Sequence, residues 1–434
     1  MQKRSGSGRI LFVAFATVLI AAGFAISAPA AVLKPIKIGI VSFLSGPAAG
    51  PFGVPARNGA EILVEALNEG GKVPGYGTKG LGGAPIELVY IDEAGGTTKQ
   101  VTEYRNLVQR QNVDLVIGYI SSGDTLAIAP VAEELKKLTV FFDSGTPRIF
   151  EDASYKYVFR TGSHSTMDSV GAALYVTEMK PNIKKYAGIN QNYAWGQDSW
   201  SDFDAAMKML KPNAKAATSQ MTKLMSGQFG AEISVLLSSG AEVIHSSFWG
   251  GDTESFVLQA APRGLFKKST VVLTCGEHIM YRLGNQIPDG TVLGGKGTVG
   301  VFAPNTELNR WFQKVYTGRY DVPPTYPSYR MVQAVLGVKA AYEKAMAANK
   351  GMTPTQDQVI ASFEHLSFDT PSGIVEMGLG KGHQAVTGIS YGTTKVVKGK
   401  LTITNIKTYP KEKVNPPEGV LSKDWIESGF KRTK

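Results

Sequence analysis

From Ile36 onward, short apolar runs alternate with amphipathic stretches. IKIGIVS (36–42) is rich in β-branched residues and predicts a strand. GVPARNGAEILVEALNEGG (53–71) places Ala60, Leu63, Val64 and Leu67 at helical spacing. The pattern repeats with PIELVYID (85–92) as strand and TKQVTEYRNLVQRQ (98–111) as helix. VDLVIG (113–118), a helix over LAIAPVAEELKKL (126–138) and TVFFD (139–143) follow. Strands separated by helices read as parallel βαβ units.

The rhythm restarts at KYAGIN (185–190) and runs through AEVIHSSF (241–248) and STVVLT (269–274). A long helix is predicted from Tyr326 to Asn349. GIVEM, ISYGTTKVV and KLTITNIKTY then alternate as strands without helices. Two α/β halves and a β-rich closing segment predict two lobes, although periodicity does not say where the chain crosses between them. The stretch from Pro410 is polar and predicts an extended tail.

The first thirty residues differ. Lys3, Arg4 and Arg9 precede an apolar run from Ile10 to Ile26 that ends at Ser27-Ala28-Pro29-Ala30. This is the pattern of an export signal cleaved after Ala30, and the run is at the short limit for a membrane anchor. The single cysteine, Cys275, excludes an intramolecular disulfide and reads as a half-buried packing thiol. No cysteine sits at the cleavage site to carry a lipid. An exported chain without cysteine pairs fits a bacterial periplasm. The net charge of +10 includes three positive and no negative charges before Ala30, leaving +7. No basic motif with interleaved aromatics accompanies it, which argues against nucleic acid as a partner.

Catalytic and metal motifs find no support. The five histidines lack metal-ligand spacing. GYISSG lacks the spacing of a nucleophile elbow, and GLGKGHQ (378–384) precedes a strand where a phosphate loop would precede a helix. The chain therefore reads as a non-enzyme with neither cofactor nor metal. What remains are strand ends carrying small hydroxyl residues. Ser121 and Ser122 follow VDLVIG, and Ser144, Gly145 and Thr146 follow TVFFD. Ligands of open parallel sheets sit at such ends, where hydroxyls and helix-start amides suit a carboxylate. The same residues equally suit helix capping and turn formation.

The order of segments adds a resemblance. IKIGIVSFLSGPAAGPFGVPARNGAEILVEALNEGG, PIELVYIDEAG, VIGYISSGDTLAIAPVAEEL and VFFDSGTP, with YVFRTGSHSTM, NQNYAWGQD and DTPSGIVEMGLGKGHQAVTGISYG, run in order along nearly the whole chain after residue 30. The series resembles the periplasmic solute-binding proteins of branched-chain amino-acid-type ABC transporters, the leucine/isoleucine/valine-binding family. The resemblance implies a type I periplasmic binding fold: two Rossmann-like α/β lobes with parallel sheets, joined by a three-strand hinge, closing on a ligand. It implies a first lobe over 31–161, a second over 162–295, a return to the first over 296–365 and to the second over 366–409, then the polar tail over 410–434.

Residue roles are implied in the same way. Ser122, with Ser121 beside it, and Thr146 match hydroxyl residues that bind a ligand's α-carboxylate. Ser144 matches a residue whose carbonyl accepts the ammonium. Phe52, Trp195, Phe248 and Trp249 match aromatic walls, and Glu277 falls where amino-acid binders carry an acid for the ammonium. Asp143 departs from the family pattern by adding a negative charge near the carboxylate site, and Phe248-Trp249 is bulkier than a valine or leucine pocket needs. The implied protein is a monomeric periplasmic receptor that captures a small carboxylate-bearing solute and delivers it to an inner-membrane ABC permease. The favoured solute is an amino acid, branched-chain or larger and apolar. An aromatic or phenylpropanoid acid is the alternative within the class, and an exported enzyme or a sensory module are the alternatives outside it.

Overall fold

In the computed structural model, which describes residues 33–432 and the isolated positions 2 and 6, the apolar runs become the strands of two sheets. The export segment and its cleavage point after Ala30 lie outside the described residues. The early runs form β1 (Ile36–Ser42), β2 (Ile86–Asp92), β3 (Leu115–Gly118), β4 (Thr139–Phe141) and β5 (Val158–Arg160). The middle of the chain forms β6 (Lys185–Gln191), β7 (Lys215–Thr222), β8 (Val243–Ser246), β9 (Thr270–Leu273) and β10 (Val292–Gly294). The closing segment forms β11 (Ser367–Thr370), β12 (Gly373–Leu379), β13 (Gln384–Val386), β14 (Ile389–Val397) and β15 (Lys400–Tyr409).

One sheet has eight strands in the order β11-β12-β13-β5-β4-β3-β1-β2, and the other has seven in the order β15-β14-β10-β9-β8-β6-β7. The strands from β1 to β5 pair in parallel, as do those from β6 to β10. Helices cover both faces of each sheet. That is why β3, β4 and β8 are buried at every residue and read as unbroken apolar runs where a one-sided strand would alternate.

The Val54–Glu69 helix has a proline in its first turn, where no N–H partner is lost, and it stops at Gly70 with φ 78°. It crosses the long Tyr326–Ala348 helix, and a Cβ on Gly59 would sit 2.8 Å from the Ser328 carbonyl. Only glycine permits that approach.

The chain passes between sheets at 161–164, 295–299 and 387–388. The return to the second lobe was expected at 366, but 366–386 stays with the first. There β13 pairs in parallel with β5, Gln384 opposite Arg160, and β11 and β12 extend that edge. Alternating strands carry no mark of which sheet edge they will join, so sequence merged two hairpins into one segment. The tail also differs from expectation. Lys411–Val414 and Ser422–Glu427 are short helices, and Val414, Trp425 and Ile426 are buried in the second lobe's core. These three apolar side chains dock an otherwise polar segment.

Candidate functional site

Facing strand ends of the two lobes line a narrow chamber. Ile120 follows β3, and Asp143 and Gly145 follow β4. Tyr193 and Trp195 follow β6, Trp249 follows β8, Cys275 follows β9, and Lys296 follows β10. Tyr326 enters from the first turn of its helix. Eight of these nine lining residues thus sit at carboxyl ends of sheet strands, where open α/β sheets place ligands.

The aromatic walls are fixed by hydrogen bonds. Trp195 Nε1 donates to the Ser247 carbonyl at 2.8 Å, and Trp249 Nε1 donates to the Tyr193 hydroxyl at 2.8 Å. Phe52 stands behind the wall, edge-on to Trp249 at 5.3 Å and to Tyr326 at 4.9 Å between ring centroids. With both indole N–H groups satisfied, the rings offer apolar faces.

One cation reaches the chamber. Lys296 is 3% exposed, and its Nζ donates to the Asp143 carbonyl at 2.6 Å and to Asp143 Oδ1 at 3.3 Å. The same ammonium lies 4.4 Å from the centre of the Trp195 ring. Tyr326 donates its hydroxyl to Asp143 Oδ2 at 3.3 Å. An ammonium has three donors, so one remains after the two bonds to Asp143. Burial pushes the Cys275 thiol up to about 12, so it is a protonated wall group and no nucleophile.

The hydroxyls expected at the ligand are engaged in fastening the loops. Ser121 caps the Ser122–Glu134 helix by accepting from the Asp124 amide, while its own N–H and that of Ile120 meet the buried Glu93 carboxylate. Ser122 Oγ accepts from the amides of Gly145 and Thr146, both at 3.2 Å. Thr146 donates across the cleft to Asp198 Oδ2 at 2.6 Å, and Arg148 Nε reaches Asp198 Oδ1 at 3.0 Å. That carboxylate belongs to the second lobe, so these bonds latch the lobes together. The Ser144 carbonyl accepts from Arg160 Nη1 at 3.0 Å, and its hydroxyl, though buried, has no partner among the described residues.

Two residues lie away from the chamber. Phe248 packs into the second lobe's core against Phe229 and Phe256, with centroids at 4.8 and 5.6 Å. Glu277 turns toward the long helix of the first lobe, where Oε2 accepts from the Tyr326 amide at 2.7 Å. It lines a neighbouring groove with Gly300 and Thr325. Trp195 and Trp249 line the chamber, with Phe52 behind them.

Sequence reading missed Ile120, Tyr193, Tyr326 and Lys296, and took Cys275 for packing alone. The strand-end rule that singled out Ser122 also applies to Gly294-Gly295-Lys296-Gly297, a lysine among glycines directly after β10.

Ser122→Ala is expected to lower the melting temperature of the ligand-free protein, because two buried amides lose their acceptor at about 1–3 kcal/mol for an unsatisfied group. A thermal melt checks this, and an unchanged midpoint would mean the amides find another acceptor.

Burial pushes the Glu277 carboxyl up to about 7, against the lowering effect of the Tyr326 and Val301 amides. The folded state therefore holds this proton more tightly than the unfolded chain. Its contribution is complete below pH 4.5 and is lost as pH rises through 7. Burial likewise raises Asp168 and Asp202 to about 7, so all three act in one direction. Buried His164 and His245, held at about 3, act in the opposite direction up to pH 6.5, so melting temperatures should fall between pH 6.5 and pH 8, and by less in Glu277→Gln, which keeps an acceptor for Tyr326. Equal slopes in both proteins would show that Glu277 does not titrate in the fold.

A family model described as periplasmic binding protein matches residues 35–399. Leu/Ile/Val-binding protein homolog 3 of Brucella melitensis is 29% identical over 233 residues, 54% of this chain. That match spans 58% of the relative, little more than half its length. Homolog 6 of Brucella abortus is 23% identical over 350 residues, covering 76% of this chain and 83% of that one. Among solved structures, an ABC transporter solute-binding protein from R. palustris in complex with 4-hydroxybenzoate superposes with a TM-score of 0.73 at 22% identity, over 87% of this chain and 98% of that one. A leucine-binding protein from Thermotoga maritima superposes with a TM-score of 0.71 at 18% identity, over 86% and 98%. At these identities the solved structures speak to the fold.

Proposed function

The chain belongs to the periplasmic binding protein family, and we propose that it captures a small, flat carboxylic acid for an ABC importer and hands it to a membrane permease. Membership implies a periplasmic location and a protein that binds its solute without transforming it. The observation that carries the ligand class is Lys296, a buried ammonium with one donor unspent, set against the Trp195 ring. A ligand carboxylate supplies the missing acceptor, and Trp195, Trp249, Tyr193 and Tyr326 supply apolar surface for its body. The two acceptors expected for an α-ammonium, Glu277 and the Ser144 carbonyl, are not among the chamber's lining residues and bond instead to the Tyr326 amide and Arg160. On this reading the aromatic acid, the alternative expected from sequence, is the favoured ligand.

A second reading keeps the amino acid. Asp143 Oδ2 is held only by the long 3.3 Å bond from Tyr326, so an ammonium could displace it while Lys296 met the carboxylate. The experiment is mass analysis of any small molecule released on denaturation, joined to a thermal-shift panel of benzoates, phenylpropanoates and apolar amino acids. A ligand at a hundred times its dissociation constant stabilises by about 2.7 kcal/mol. Shifts with aromatic acids alone are expected. Shifts with amino acids alone would install the second reading, and no shift with either class would reject both.

A further inference from the structure

A second cavity, of about 360 Å3, opens between residues 147–154, the turn joining β12 to β13, and residues 416–421. It shares no lining residue with the central chamber. At its floor lie Arg160, 1% exposed, and His164, 2% exposed. Arg160 spends Nη1 on the carbonyls of Ser144 and Thr146 and Nε on Gln384, and its Nη2 has no partner among the described residues. Neither ring nitrogen of His164 has a partner among them. Burial, with the charges of Arg160 and Lys296, holds this imidazole at about 3, so it is neutral and offers one N–H. Arg160 Nη2 is not among the closed-off unpartnered atoms, whereas both His164 nitrogens are, so the donor the cavity can reach is on Arg160.

The acids nearby are engaged by the cavity's own walls. Glu151 Oε1 accepts from the amide and hydroxyl of Ser422, and Glu418 Oε1 accepts from the Lys381 amide at 2.7 Å. Asp152 and the Lys381 side chain stand exposed at the rim. Between floor and rim the surface is apolar, from Phe150, Leu379, Pro416, Val420 and Leu421.

We propose that this cavity is a second binding site for a small organic acid with an apolar body, its carboxylate held by Arg160 and approached past Lys381. The site stands on its own residues and not on what fills the chamber. Arg160 is a poor probe, because removing it would also free the Ser144 and Thr146 carbonyls. The test is calorimetric titration of the full protein with benzoate in three forms: wild type, Lys381→Glu at the exposed rim, and the Lys296→Met/Asp143→Asn double variant, which removes the chamber's ammonium without forcing the lobes apart. A benzoate-binding event that persists in the double variant and weakens at least ten-fold in Lys381→Glu is expected. Absence of any event in the double variant, or an event indifferent to Lys381→Glu, overturns the proposal. A single event that the double variant leaves unchanged and Lys381→Glu abolishes would count against the capture reading and leave this site standing.

Discussion

Lys296→Met is expected to abolish capture of the carboxylate and to destabilise the protein at once. The substitution keeps the length of the side chain and its packing on Trp195, but leaves the buried Asp143 without its cation. Breaking a buried pair from one side costs about 3–5 kcal/mol, because the remaining charge is unpaired. Ligand affinity should fall by about 30-fold or more, the low end for removing one partner of a buried charged contact. The two effects separate in a double variant. Lys296→Met with Asp143→Asn leaves no lone charge, so stability should largely return while carboxylate binding stays lost. Thermal melts and titrations on the four proteins of that cycle check this. Recovery of binding in the double variant would show that Lys296 serves only to neutralise Asp143.

Gly145→Ala should leave the ligand-free protein folded yet prevent closure. A Cβ at this position would lie 2.1 Å from Cζ3 and 2.3 Å from Cε3 of Trp195. The added carbon is fixed to the backbone, and the indole is held by its bond to Ser247, so neither side yields easily. Gly145 follows β4 in the first lobe, whereas Trp195 opens the Ala194–Leu210 helix of the second. Moving the lobes apart therefore relieves the clash without disturbing either core. Affinity for the chamber ligand should drop at least ten-fold, as expected for about 1–3 kcal/mol of overpacking. Small-angle scattering should show no contraction on adding ligand. Trp195→Phe in the same chain should restore part of both. Normal contraction in Gly145→Ala would mean the lobes close by another approach.

The parallel strands were legible because covered sheets demand unbroken apolar runs. β1 and the long helix over 326–348 fall where periodicity placed them. The edges were not legible. β11 to β13 and β14 with β15 share one alternating pattern, and only long-range pairing sends the first group to β5 and the second to β10. At the site, the strand-end rule reached the correct loops but not the direction of each side chain. Ser121 and Ser122 answer to local backbone needs, a helix cap and two amides of the next loop, and Phe248 alternates inward from its neighbour Trp249. Lys296 was missed because a lone lysine among glycines reads as a solvated turn, and its burial follows from the approach of Asp143 and Trp195, more than a hundred residues away in sequence for each partner nearest the hinge.

The most direct measurement is calorimetric titration of protein stripped of ligand by unfolding and refolding, using phenylalanine and its des-amino counterpart 3-phenylpropanoate on wild type and Lys296→Met. A Lys296-dependent binding event is predicted, with the des-amino acid at least ten-fold tighter than the amino acid. Tighter binding of phenylalanine, or affinities for both compounds that do not change in Lys296→Met, would contradict capture of a flat carboxylic acid by this chamber.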